Sequence, residues 1–164
     1  MNIFRTTLLS LATIVIASLA AGPALADTMS WRLATVISTQ QGGETVRRGV
    51  AIMSTGQPAL VTLRLRPTAP PAQGAMPFTT ETEYRFDDGS SFVVRGQGIA
   101  RMSPEGVPIT GETRIEGSFV AGTGRYAGIA GTVRVRTVSG LNPTADGILG
   151  DQFAEAQAEY TLNR

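Results

Sequence analysis

The sequence predicts a single, all-β domain: an eight-stranded antiparallel up-and-down β-barrel behind a removable leader. Three observations carry that expectation. Polar and apolar residues alternate with a period of two through most of residues 27–164, as they do where a strand shows successive side chains to opposite faces. Gly, Pro, Asn and Asp interrupt the alternation at short intervals, marking turns between strands. No convincing helical pattern competes with the strands.

The leader comes first. Arg5 precedes the apolar run Leu8-Leu9-Ser10-Leu11-Ala12-Thr13-Ile14-Val15-Ile16-Ala17, and Ala24-Leu25-Ala26 is a small-x-small cleavage signal. The run is shorter than the roughly 20 residues a membrane span needs. Residues 1–26 therefore read as a signal peptide and 27–164 as one barrel domain. The mature protein is expected in the periplasm or secreted, with no membrane attachment after cleavage.

Strands are expected at 30–39, 45–54, 59–66, 78–86, 91–101, 111–120, 131–139 and 153–162. Asp87-Asp88-Gly89-Ser90 makes a tight hairpin, because Asp-Gly tolerates the positive φ such a turn requires. Gly122-Thr123-Gly124-Arg125-Tyr126-Ala127-Gly128 joins the sixth and seventh strands. Two longer loops run over Pro67–Pro77 and Gly140–Asp151. Eight short-linked strands favour a closed meander, since closure removes exposed sheet edges.

The alternation sorts residues onto two faces. The apolar set is Trp31, Leu33, Ile37, Val50, Ile52, Val61, Leu63, Leu65, Tyr84, Phe86, Phe92, Val94, Ile115, Phe119, Val133, Val135, Tyr160 and Leu162. The opposite set is a mixed-charge ladder that includes Arg32, Arg64, Arg66, Glu81, Glu83, Arg85, Arg95, Glu112, Arg114, Glu116, Arg134, Arg136, Glu155 and Glu159. In water the apolar set faces inward. An outer-membrane barrel would invert this, but it needs aromatic girdles at both interfaces, and the aromatics here do not gather at strand ends.

Composition removes much chemistry. The chain contains no Cys and no His, which excludes thiol nucleophiles, Ser-His-Asp triads, imidazole bases and the usual zinc ligands. Loss of Arg5 with the leader balances the remaining arginines against the 13 acidic residues. A neutral chain argues against nucleic-acid binding through a basic patch. No cofactor and no metal site are expected. Asp146 and Asp151 are too few oxygens for calcium, which takes six to eight. Gly122-x-Gly124-x-x-x-Gly128 has the glycines of a phosphate loop, but a strand follows where that mechanism requires a helix. Glu81 with Glu83, or Glu112 with Glu116, shares a face, yet Arg85 and Arg114 lie on the same faces and would keep those acids ionised.

The stretch Gly117-Ser118-Phe119-Val120-Ala121-Gly122-Thr123-Gly124-Arg125-Tyr126-Ala127-Gly128-Ile129-Ala130-Gly131-Thr132 resembles the late hairpin of the allene oxide cyclase barrel-like superfamily, which includes dirigent proteins and exported bacterial members. Asp88-Gly89-Ser90 and Tyr84-Arg85-Phe86 resemble the bacterial members as well. The resemblance implies a calycin-like eight-stranded barrel with an apolar lumen, and frequently a homo-oligomer, a trimer. It supplies no catalytic residue, because no family catalytic motif matches here.

Trp31, Tyr84, Phe86, Phe92, Phe119 and Tyr160 are the expected lumenal lining, with Arg125 and Tyr126 at the mouth. An eight-stranded barrel lies between solid packing and room for one small ligand. Three functions stay open: binding a small apolar molecule in lumen or mouth, cofactor-free cyclase or isomerase chemistry on a hydrophobic substrate, and a structural or interaction role with a filled core.

Overall fold

The computed structural model of the chain describes residues 26–101, 103–104, 113–139 and 152–163. All but the last residue of the leader expected at 1–26 lies outside these, as do Glu112, Asp146, Asp151 and the loop Gly140–Asp151. The strands are β1 (Asp27–Gln41), β2 (Glu44–Met53), β3 (Pro58–Pro67), β4 (Ala75–Arg85), β5 (Ser91–Arg101), β6 (Arg114–Thr123), β7 (Ile129–Ser139) and β8 (Gln152–Leu162). They pair in chain order, and β8 returns to pair with β1, closing the barrel. Every pairing is antiparallel. Each strand is therefore bonded on both sides, which satisfies its backbone groups and leaves no edge.

The expected alternation holds closely on β4. Phe78, Thr80, Thr82 and Tyr84 are buried, while Thr79 and Arg85 are exposed. Outside, the ladder forms real pairs. Arg95 meets Glu81 at 2.7 Å, and Glu155 bridges Arg32 at 3.2 Å and Arg136 at 3.7 Å. Glu81 is thus held from the neighbouring strand by Arg95 rather than by Arg85.

β2 corrects the sequence reading. Val50 and Ile52, expected inside, project outward, and the inner face of this strand carries Arg47, Ala51 and Met53. The pairing fixes this phase: Ala51 lies opposite the inward Leu33 and Ala59, whereas Val50 lies opposite the outward Ala34 and Leu60. A strand's side-chain phase is common to the whole strand, so the small Ala51 goes inside and its two larger neighbours go out. Arg47 tolerates burial because Nε donates to Thr35 Oγ1 at 3.0 Å and Nη2 to the Thr35 carbonyl at 2.9 Å.

The barrel has two different ends. At the turn end lie the start of β1, the short links at 54–57, 86–90 and 124–128, and the end of β8. At the loop end lie the two-residue turn at 42–43 and the longer 68–74 connection. The Gly-rich hairpin belongs to the turn end. It contains one 3-10 turn, Gly124–Tyr126, and runs directly into β7. Gly124 and Gly128 take φ of +58° and +74°, a region that residues with a Cβ rarely adopt. A Cβ at Gly128 would also stand 2.0 Å from the Asn163 carbonyl oxygen. These glycines serve backbone geometry, and the helix of a phosphate cradle is absent from this hairpin.

Candidate functional site

All eight residues expected around a lumenal site converge at the turn end. They form a plug rather than a cavity wall. Trp31 reaches from β1 across the lumen to Tyr84 on β4, with ring centroids 5.4 Å apart, and to Phe92 on β5 at 5.9 Å. Phe92 is 0% exposed and also contacts Tyr84, Phe86, Phe119 and Tyr126. Tyr126 and Tyr160 are half-buried and close the outer side of the cluster. Edge-on and tilted ring pairs of this kind add to the burial of the rings themselves.

Arg125 fastens the plug. Its guanidinium lies 4.5 Å from the Phe86 ring centroid and 5.0 Å from that of Tyr126. It also donates to Gln57 Oε1 at 2.6 Å and pairs with Asp88 at 3.1 Å. One side chain thereby ties together the three short links of the turn end. Hydrogen bonds from the Ser90 hydroxyl and backbone, with Arg125 nearby, hold the Asp88 carboxyl below its ordinary value.

Two polar groups sit inside this carbon-rich cluster. Burial pushes the Tyr84 phenol well above its ordinary value, and the neighbouring Trp31 indole N–H offsets part of that rise. The two groups are close, but the indole N–H does not reach hydrogen-bond geometry and is left without a partner. Burial, together with Asp27 and Tyr126, also raises the Tyr160 phenol. No carboxylate is buried among the described residues, so the buried polar groups of this lumen are Tyr, Trp, Thr and Arg47 side chains.

The loop end is built differently. Phe78, Ala100 and Ile115 form a second, smaller apolar cluster there, and Thr35, Arg47, Thr80, Thr82 and Thr137 are buried along the inner wall. Gly96 on β5 faces Gly117 on β6, and Gly98 faces Ile115. A Cβ at Gly98 would lie 2.4 Å from the Arg114 carbonyl oxygen and 2.7 Å from Phe78 Cζ. Bare glycine backbone lets β5 and β6 curl closely and lets the Phe78 ring rest on the wall.

On the outside of that corner, at the rim of the barrel mouth, is a groove of about 850 Å³. Its outward lining is Pro77 and Thr79 on β4, Gln97, Ile99 and Arg101 on β5, and Arg114 and Glu116 on β6, with Thr68 at its edge; Phe78 and Gly98 border it but face inward. Ile99 is 53% exposed. Residues 105–112, between β5 and β6 in the chain, lie outside the described residues. Sequence reasoning missed this site and the buried Arg47. The outward Ile99 within an otherwise polar face was the available signal for the groove, and nothing in the local pattern marked Arg47. A second outer feature is an apolar row: Phe153, Ala34, Val50 and Leu60 stand opposite one another on four adjacent strands, with Ile52 beside them.

Compared with models of known protein families, with curated proteins and with solved structures, the chain matches none. The fold and site define a class by themselves: a small, closed, antiparallel eight-stranded barrel, sealed by aromatic rings at one end and grooved at the rim of the other.

Proposed function

We propose that this chain is an exported member of the allene oxide cyclase barrel-like superfamily that binds a small, largely apolar molecule at its mouth. The observation that carries this reading is the rim groove. Its volume of about 850 Å³ falls within the roughly 300–1,000 Å³ of small-molecule sites, and it sets the carbon of Pro77 and Ile99 beside polar and charged side chains. The aromatic residues first expected to line a pocket contact one another, which favours the rim over the lumen as the site in this reading. Export is supported by the position of the fold: β1 begins at Asp27, the residue after the expected cleavage point.

The test is binding of N-phenyl-1-naphthylamine, a neutral apolar dye whose emission rises when it leaves water. A saturable rise is expected, and Ile99→Glu should abolish it without lowering the melting temperature. A wild-type protein that leaves the dye dark overturns the reading.

The apolar row favours a second reading, a filled-core interaction protein that assembles with copies of itself. Leu60 is 61% exposed and Phe153 48%, and contiguous exposed apolar side chains mark association surfaces. Light scattering after size exclusion should then give a trimer or other oligomer that Leu60→Glu dissociates. A wild-type monomer at high concentration removes this reading.

A further inference from the structure

We propose that the ligand of the mouth groove is an amphipathic anion, gripped at its charged end by Arg101 and Arg114. The inference rests on the mouth-groove reading and adds the chemical class of the ligand. Arg114 on β6 stands directly opposite Ile99 on β5, and Ile99 stands opposite Pro77 on β4. Arg101 is two residues further along β5, on the same outer face. Diagonal neighbours on one face of an antiparallel pair lie about 7–8 Å apart, a separation that two long guanidinium side chains close easily around one oxyanion. Neither arginine forms an ion pair among the described residues, although Arg32, Arg64, Arg66, Arg95, Arg125 and Arg136 all do. Arg48, Arg85 and Arg134 also stand outside the ion pairs of the described residues; of these unpaired arginines, Arg101 and Arg114 line the groove.

The apolar lining sets the rest of the ligand. Pro77 and the exposed Ile99 offer carbon surface beside the two charges. Glu116 lines the groove two residues along β6 from Arg114. Its carboxylate repels a second negative charge at that end, so the ligand carries its anionic group at the Arg101 end only. Guanidinium groups suit carboxylate, sulfonate and phosphate alike through paired N–H donors.

Two dyes separate the charge from the apolar body. 8-Anilinonaphthalene-1-sulfonate and N-phenyl-1-naphthylamine share one ring system and differ by the sulfonate. The wild-type protein should bind the sulfonate about tenfold more tightly at low salt, and about 0.5 M salt should erase most of that preference. The double variant Arg101→Gln/Arg114→Gln should bind both dyes about equally while melting as the wild type does, since both side chains are exposed. Equal affinity for the two dyes in the wild type overturns the anion inference and leaves the mouth reading standing. Failure of both dyes to bind overturns both. A sulfonate preference that survives in the double variant places the anion elsewhere and overturns the assignment to these arginines.

Discussion

The two ends of this barrel use the same eight strands and the same closure, yet one is packed with many rings and the other mixes a smaller apolar cluster around Phe78 with glycines and polar side chains. At the turn end, Trp31, Tyr84, Phe86, Phe92 and Phe119 fill the lumen, and Arg125 clamps three links over them. At the loop end, a smaller apolar cluster of Phe78, Ala100 and Ile115 shares the inner wall with threonines, glycines and Arg47. The difference separates stability from recognition. Burial of large rings in contact with one another contributes most where nothing needs to enter. The loop end, with a smaller apolar cluster inside, curls at its glycines and carries a groove on its outer rim.

The sharpest way to break this comparison is to remove the centre of the plug. Phe92→Ala should cost about 3–5 kcal/mol in denaturant melts, the range for a buried aromatic. If it costs no more than a surface change, the turn end is not the stabilising end. Next in size is the polar end. Arg47→Met removes the donors to Thr35 and should cost about 2 kcal/mol. A larger loss than that of Phe92→Ala would reverse the ranking of the two ends.

A third measurement uses pH. Tyr84 keeps its proton in the folded barrel well above the ordinary phenol value of 10.0, because burial opposes the phenolate. Above that pH the unfolded chain releases a proton that the folded chain retains. Stability therefore falls as pH rises, by up to about 1.4 kcal/mol per pH unit for this group. Tyr160 shifts in the same direction and adds to the same window. Melts between pH 9 and 11.5 should show this slope in the wild type and a much flatter one in Tyr84→Phe. An unchanged slope would mean that the phenol ionises freely and the plug is open to water.

The smallest effect belongs to the outer wall. Glu155→Gln breaks contacts to Arg32 and Arg136, both mostly exposed, and should cost under about 1 kcal/mol. A cost above that of Arg47→Met would show a surface network stronger than its exposure suggests.

Much of this architecture was legible before any coordinates. Strand count, strand order, the Asp88-Gly89 turn, the Gly-rich hairpin as backbone geometry and the membership of the aromatic cluster all follow from periodicity and turn chemistry, which are local. The site was not legible. Whether Trp31 and Phe92 line a cavity or fill one depends on how far each ring reaches across the lumen, and sequence spacing carries no such distance. β2 shows the limit within a single strand. Val50 and Ile52 look like core residues, and Arg47 looks like surface, until the pairing of Ala51 with Leu33 and Ala59 sets the phase.

The sequence by itself determined an all-β chain that closes on itself, and it excluded His and Cys chemistry by leaving those residues out. Tertiary structure alone decided which end is sealed, which face of β2 points inward, and that Arg101, Arg114 and Ile99 share one groove. The physical reason is reach. Alternation and turn propensity act over a few residues, whereas filling a lumen and shaping a groove depend on side chains brought together by closure of the sheet.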